Sequence, residues 1–105
     1  MENRKPKAMI SQPMAGLTDD KIALTRKRAV TLLESLGFEV VNTLRTDEWY
    51  QQDRKNKPLM FLAKSIDNMT DVDLVFFCEG WINARGCRIE HEIAQAYGIP
   101  CLEAA

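Results

Sequence analysis

The run Asp73 to Cys78, D-L-V-F-F-C, constrains this chain more than any other segment. From Leu74 onward it is unbroken apolar sequence with no polar residue at alternate positions. A strand built from it has no face to give to water and must be covered on both sides. Three shorter runs read the same way: Lys7 to Ser11 (K-A-M-I-S), Phe38 to Val41 (F-E-V-V) and Pro100 to Leu102 (P-C-L). Helical stripes separate them, so the pattern is β-α-β-α-β-α-β. Strands covered on both faces and joined by helices form a parallel sheet with right-handed crossovers. The expected fold class is α/β, a small flavodoxin- or Rossmann-like three-layer fold with a four-stranded parallel sheet in the order 2-1-3-4.

The helix signals are local. Thr18 before Asp19 and Asp20 places a hydroxyl cap ahead of acids in a first turn. Ile22, Ala29, Leu32, Leu33 and Leu36 then recur at helical spacing and predict a buried stripe, with Lys21, Arg26, Lys27 and Arg28 facing water. Gly37 stands where helices end in a left-handed residue. Pro58 suits the first position of a second helix, whose stripe is Leu59, Leu62, Ile66 and Met69. A third helix starts near Gly86 and closes at Gly98, with Ile89, Ile93, Ala96 and Tyr97 as its stripe.

Composition enters by exclusion. A length of 105 residues is one domain's worth, so 1–105 is read as a single domain. The net charge of -1 lacks the basic excess of a duplex nucleic-acid binder. Cys78, Cys87 and Cys101 form no C-x-x-C pair and His91 is the only histidine, so no metal site and no cofactor are expected. Sparse cysteines fit a reducing cytoplasm. The start, M-E-N-R-K-P-K, is not a signal peptide, and no apolar run reaches membrane-spanning length. The polar stretch Asn42 to Lys57 is long for so small a domain. Trp49 and Tyr50 within it leave two readings open: a lid over a ligand, or aromatics packed back on the core.

In an open parallel sheet, ligands sit beyond the carboxyl ends of the strands where strand order reverses, here between the first and third strands. The loops leaving them are Ser11 to Gly16 (S-Q-P-M-A-G) and Glu79 to Gly86 (E-G-W-I-N-A-R-G). Their glycines let backbone amides approach a ligand, and the third helix points its positive end at the same crevice. Glu90, in that helix's first turn, flanks the buried stripe and leans towards the strand ends. As an ionised carboxylate it is a candidate nucleophile; as an acid in a first helical turn it is equally accounted for by helix stability. Trp81 can stack on a planar base or cover the sheet end. Arg85 and Arg88 can hold a phosphate or be solvated.

M-I-S-Q-P-M-A-G (Met9 to Gly16), D-V-D-L-V-F-F-C-E-G-W (Asp71 to Trp81) and R-G-C-R-I-E-H-E-I-A-Q-A-Y-G-I-P (Arg85 to Pro100) resemble the nucleoside 2-deoxyribosyltransferase-like domains, in particular a small branch found in bacteria and phages. The resemblance covers nearly the whole chain apart from Asn42 to Lys57. It implies cleavage or exchange of the N-glycosidic bond of a 2'-deoxynucleoside or its 5'-monophosphate, with Glu90 as the nucleophile that forms a glycosyl ester. The implied substrate-binding residues are Ser11, Gln12, Met14, Gly16, Ser65, Glu79, Gly80, Trp81, Asn83, Arg85 and Gly86, and Trp81 or Trp49 would lie against the base. Where family members often carry an acid in the second helix this chain has Ser65. Asn83-Ala84-Arg85 replaces an acidic residue before Gly86, and Gln12 replaces a common glycine. The alternative class is a non-catalytic nucleotide-binding module, a sensor or sponge on the same fold. Either way the implied partner is a small nucleoside or nucleotide, and the short chain implies a homodimer or higher homo-oligomer whose neighbour completes the pocket.

Overall fold

The computed structural model describes residues 4–41 and 51–104. Trp49 and Tyr50 lie outside the described residues. Four parallel strands form one sheet: β1 (Lys7–Ser11), β2 (Glu39–Val40), β3 (Leu74–Phe77) and β4 (Cys101–Glu103), in the order β2-β1-β3-β4. In the central pairing Ala8 faces Leu74 and Ser11 faces Phe77. β4 continues the sheet with Val75 opposite Cys101. The α/β class and the strand order are those expected from the alternation of apolar runs and helical stripes.

The pleat of the two central strands divides the core. Ala8, Ile10, Phe76 and Cys78 point to one face and pack with Ala29 and Leu33 of α1 (Asp19–Ser35). Met9, Val75 and Phe77 point to the other, against Met69 of α2 (Lys57–Met69) and Ala94 of α3 (Arg85–Ala96). The central strands therefore have no wet face, which is why D-L-V-F-F-C shows no polar alternation. A short 3-10 turn, Trp81–Asn83, links β3 to α3.

The helix ends follow local chemistry. Thr18 Oγ1 accepts from the Lys21 amide at 3.2 Å, and Asn56 Oδ1 caps α2 through the Leu59 amide at 3.1 Å. α2 therefore starts one residue before Pro58, which is its second residue. α1 and α3 close in the same way. Gly37 (φ 90) and Gly98 (φ 70) take the left-handed conformation, and Phe38 and Ile99 donate back to Leu33 and Ala94 at 3.0 and 2.8 Å.

The helical stripes are rotated from those read in the sequence. In α1 the buried residues are Ala29 and Leu33, while Leu32 and Leu36 are 41% and 55% exposed. In α3 the buried face is Cys87, Glu90 and Ala94; Ile89 and Ile93 flank it, and Tyr97 is 81% exposed. A carboxylate on the buried face interrupts the apolar pattern, so hydrophobicity alone shifts the apparent stripe towards Ile89 and Tyr97. The register in α1 is open to a simple test. In urea denaturation Leu33→Ala lowers stability by about 3 kcal/mol, as for a fully buried leucine, and Leu32→Ala by less than about 1 kcal/mol. Equal losses at the two positions contradict this packing.

Candidate functional site

Two physical facts meet at the end of β1. Ser11 is the strand's last residue and points to the α3 face, where it is 2% exposed. Glu90, the sixth residue of α3, is 8% exposed and faces it. The Ser11 hydroxyl lies 3.2 Å from Glu90 Oε1 and donates to it. Burying a carboxylate is costly unless hydrogen bonds replace its hydration, and this one supplies part of that replacement. Glu90 is thus not in the first turn and not merely beside the core. It sits in the second turn, on the buried face itself.

A cleft of about 610 Å³ opens above this pair. Its floor is the end of β1, and its walls come from the loop after β1, the start and one face of α2, the start of α3, and Arg26 of α1. Of the residues read from the sequence, Ser11, Gln12, Met14, Ser65, Asn83, Arg85, Gly86 and Glu90 line it together. Gly16, Glu79, Gly80 and Trp81 do not. Trp81 is instead stacked on His91, with ring centroids 4.2 Å apart and planes at 17°, and tilted against Phe77 at 5.4 Å. His91 in turn contacts Glu103 Oε1 through Nε2 at 2.5 Å. The tryptophan is therefore held over the sheet end by an aromatic stack on the α3 face and does not line this cleft. Gly80 takes a left-handed turn (φ 84) that sends the chain from β3 into the 3-10 segment.

Three lining residues carried no signal in the sequence. Asn56 was hidden in a polar stretch. Cys87 looked like a small hydrophobe; it lies buried beside Ser11 and Glu90. Burial pushes its thiol up from the usual range, a contact with the Ser11 hydroxyl opposes that, and the Glu90 charge adds to the rise. Arg26, assigned to water by its place among Lys21, Lys27 and Arg28, is partly buried against the cleft. Burial lowers its pKa, and proximity to Cys78 opposes that. Only the rotation of α1 relative to its apolar stripe could have revealed it.

The N-terminus of α3 adds field to the cleft. Ala84 precedes it without a side-chain cap, and its first turn holds no acid. Ala84, Arg85, Gly86 and Cys87 all line the cleft, so the helix's positive end faces into it. Among the described residues no group of His, Cys, Asp and Glu is arranged to hold a metal ion, and no helix is long and apolar enough to cross a membrane.

Fold and site together define a small doubly covered α/β domain with a buried carboxylate in a cleft at the strand-order reversal. The model of the family described as "Domain of unknown function (DUF4406)" matches residues 6–103, and the chain belongs to that family. No curated protein and no solved structure matches the chain.

The buried Cys78 thiol on the α1 side of the sheet gives a pH test of the core. Burial pushes Cys78 up to about 11, with the nearby Cys87 adding and Arg26 opposing. The folded protein therefore holds this proton more tightly than the unfolded chain, whose thiol titrates near 9.0. The resulting stability is fully present below pH 9 and is lost as pH rises towards 11, by about 2 kcal/mol. Denaturation series between pH 8 and 11 should show this loss in the wild type and a shallower one in Cys78→Ala. Parallel pH profiles in the two proteins contradict the assignment.

Proposed function

We propose that this protein breaks or exchanges the N-glycosidic bond of a 2'-deoxynucleoside or its 5'-monophosphate, with Glu90 as the nucleophile. The observation that carries the reading is the buried Glu90 carboxylate, bordered by the cleft and held at Oε1 by the Ser11 hydroxyl. A carboxylate so held is oriented before substrate arrives, which is what nucleophilic displacement at an anomeric carbon requires. The resemblance of Arg85 to Pro100 to the deoxyribosyltransferase-like domains supports the same residue.

In the first step a Glu90 oxygen bonds to C1' as the C1'–N bond breaks, and the electron pair leaves with the base, which takes up a proton from solvent water. In the second, a water or another base bonds to C1' and releases its proton to solvent as the ester C–O bond breaks, restoring the carboxylate. Two displacements at one carbon retain its configuration. A water acceptor gives hydrolysis and a base acceptor gives exchange.

A second reading, a nucleotide-binding module without turnover, has its own observation. Among the described residues lining the cleft, Glu90 is the only carboxylate. Ser65, where relatives of the resembled family often have an acid, turns its hydroxyl back to the Phe61 carbonyl at 3.3 Å. No second acid there protonates a departing base. A homo-oligomer belongs to either reading, because Met14 and Leu59 line the cleft and are 42% and 56% exposed. A neighbouring subunit covering them completes the wall; a monomeric mass by light scattering argues against it.

A panel of deoxynucleosides and their monophosphates, assayed for free base with and without an acceptor base, separates the readings. The enzyme reading expects turnover that falls at least about a thousandfold in the near-isosteric Glu90→Gln. Saturable binding with no turnover favours the module. Turnover unchanged in Glu90→Gln removes the nucleophile assignment.

A further inference from the structure

Departure of the base is the step for which the cleft supplies least. Among the described residues four titratable side chains line it: Arg26, Arg85, Cys87 and Glu90. Guanidiniums hold their protons too tightly to act as acids near neutral pH, and Glu90 is the nucleophile. Cys87 stands three residues before Glu90 on the same buried face of α3. It is therefore on the side from which the carboxylate attacks, whereas a leaving group departs from the opposite face of C1'. Burial also pushes its thiol above the usual range, away from a pKa suited to giving a proton at neutral pH. The Ser65 hydroxyl donates to the Phe61 carbonyl at 3.3 Å. We propose that the preferred substrates are 2'-deoxynucleosides, or their 5'-monophosphates, whose base is already cationic, as after alkylation of a purine ring nitrogen; the inference rests on the glycosidic reading of the cleft and on Glu90 as its nucleophile.

Such a base needs no proton in order to leave. A Glu90 oxygen bonds to C1' as the C1'–N bond breaks, and the electron pair returns to the ring and cancels its positive charge. The base departs neutral. Water then bonds to C1' and releases a proton to solvent as the ester C–O bond breaks, which restores the carboxylate. A neutral purine leaves instead as an anion unless solvent protonates it first. The α2 side of the cleft suits a cationic ring. Every residue from Asn56 to Ser65 that lines the cleft is uncharged, and one of them is the aromatic Phe61. The two guanidiniums belong to other walls, Arg26 to α1 and Arg85 to the start of α3.

The test follows release of base from 2'-deoxyguanosine and N7-methyl-2'-deoxyguanosine, and from their 5'-monophosphates, between pH 5 and pH 6.5, with the spontaneous loss of each subtracted. At pH 6 at least one methylated substrate shows a kcat/KM at least about a hundredfold above its parent, and Glu90→Gln removes the turnover. The ratio of methylated to parent kcat/KM also rises by about tenfold from pH 5 to pH 6 where the parent reacts measurably. Only the parent waits for a solvent proton, and titrations of the enzyme itself act on both substrates and cancel. A ratio near one, or one that stays constant with pH, places a proton donor at the base and overturns the inference while leaving the enzyme reading. Turnover of neutral deoxynucleosides without turnover of the methylated ones does the same. Methylated-substrate turnover that survives in Glu90→Gln removes the nucleophile and the inference together. Absence of turnover with every neutral and cationic substrate removes both the inference and the enzyme reading.

Discussion

The hydrogen bond from Ser11 to Glu90 ties the strand end to the helix beside it, and most of the candidate site depends on that tie. It exists because of the pleat. Met9 and Ser11 share the face of β1 that α3 covers, so the last residue of that face meets the helix where the sheet runs out. A polar residue at that point is not a defect in the core but its boundary. Replace the hydroxyl with an apolar group and a carboxylate at 8% exposure loses a donor it cannot recover from water.

That boundary also explains why the cleft forms there. Below Ser11 the sheet is closed on both faces by α1 on one side and by α2 and α3 on the other. Above it, the chain leaves β1 through Gln12 and Pro13, and the cleft opens between this loop, α2 and the start of α3. It lies at the positive end of α3, with Arg26 and Arg85 in its walls and Glu90 at its base. A polar or anionic ligand suits this distribution of charge better than a purely apolar one.

The architecture was legible in the sequence because both faces of the central strands are buried. That single fact writes an unbroken apolar run at Leu74 to Cys78 and forces parallel pairing. Glu90 was legible as a candidate because it follows the loop that the third strand feeds. Its depth was not, since a buried carboxylate breaks the apolar stripe that would report burial, and Ile89 and Ile93 drew the stripe aside. Arg26 failed for the opposite reason. Three neighbouring basic residues made it look solvated, although the helix turns it inward to the cleft. Trp81 illustrates a third limit: one aromatic residue in a loop stacks equally well on a ligand or on His91, and only the fold decides between them.

His91 and Glu90 are adjacent in sequence yet tie α3 to different elements. His91 joins Trp81 and Glu103, tying β4 and the segment after β3 to α3. Glu90 joins Ser11 and so ties α3 to β1. The two contacts hold the middle of α3, while its N-terminus has no side-chain cap of its own. Its first residues, Arg85, Gly86 and Cys87, line the cleft, so the uncapped end of the helix borders it. Capping Ala84 with a serine or aspartate would strengthen the helix in isolation, and the same change would place an oxygen where the cleft now presents donors. The uncapped start of α3 therefore leaves the cleft bordered by a helix end of the kind that binds anions.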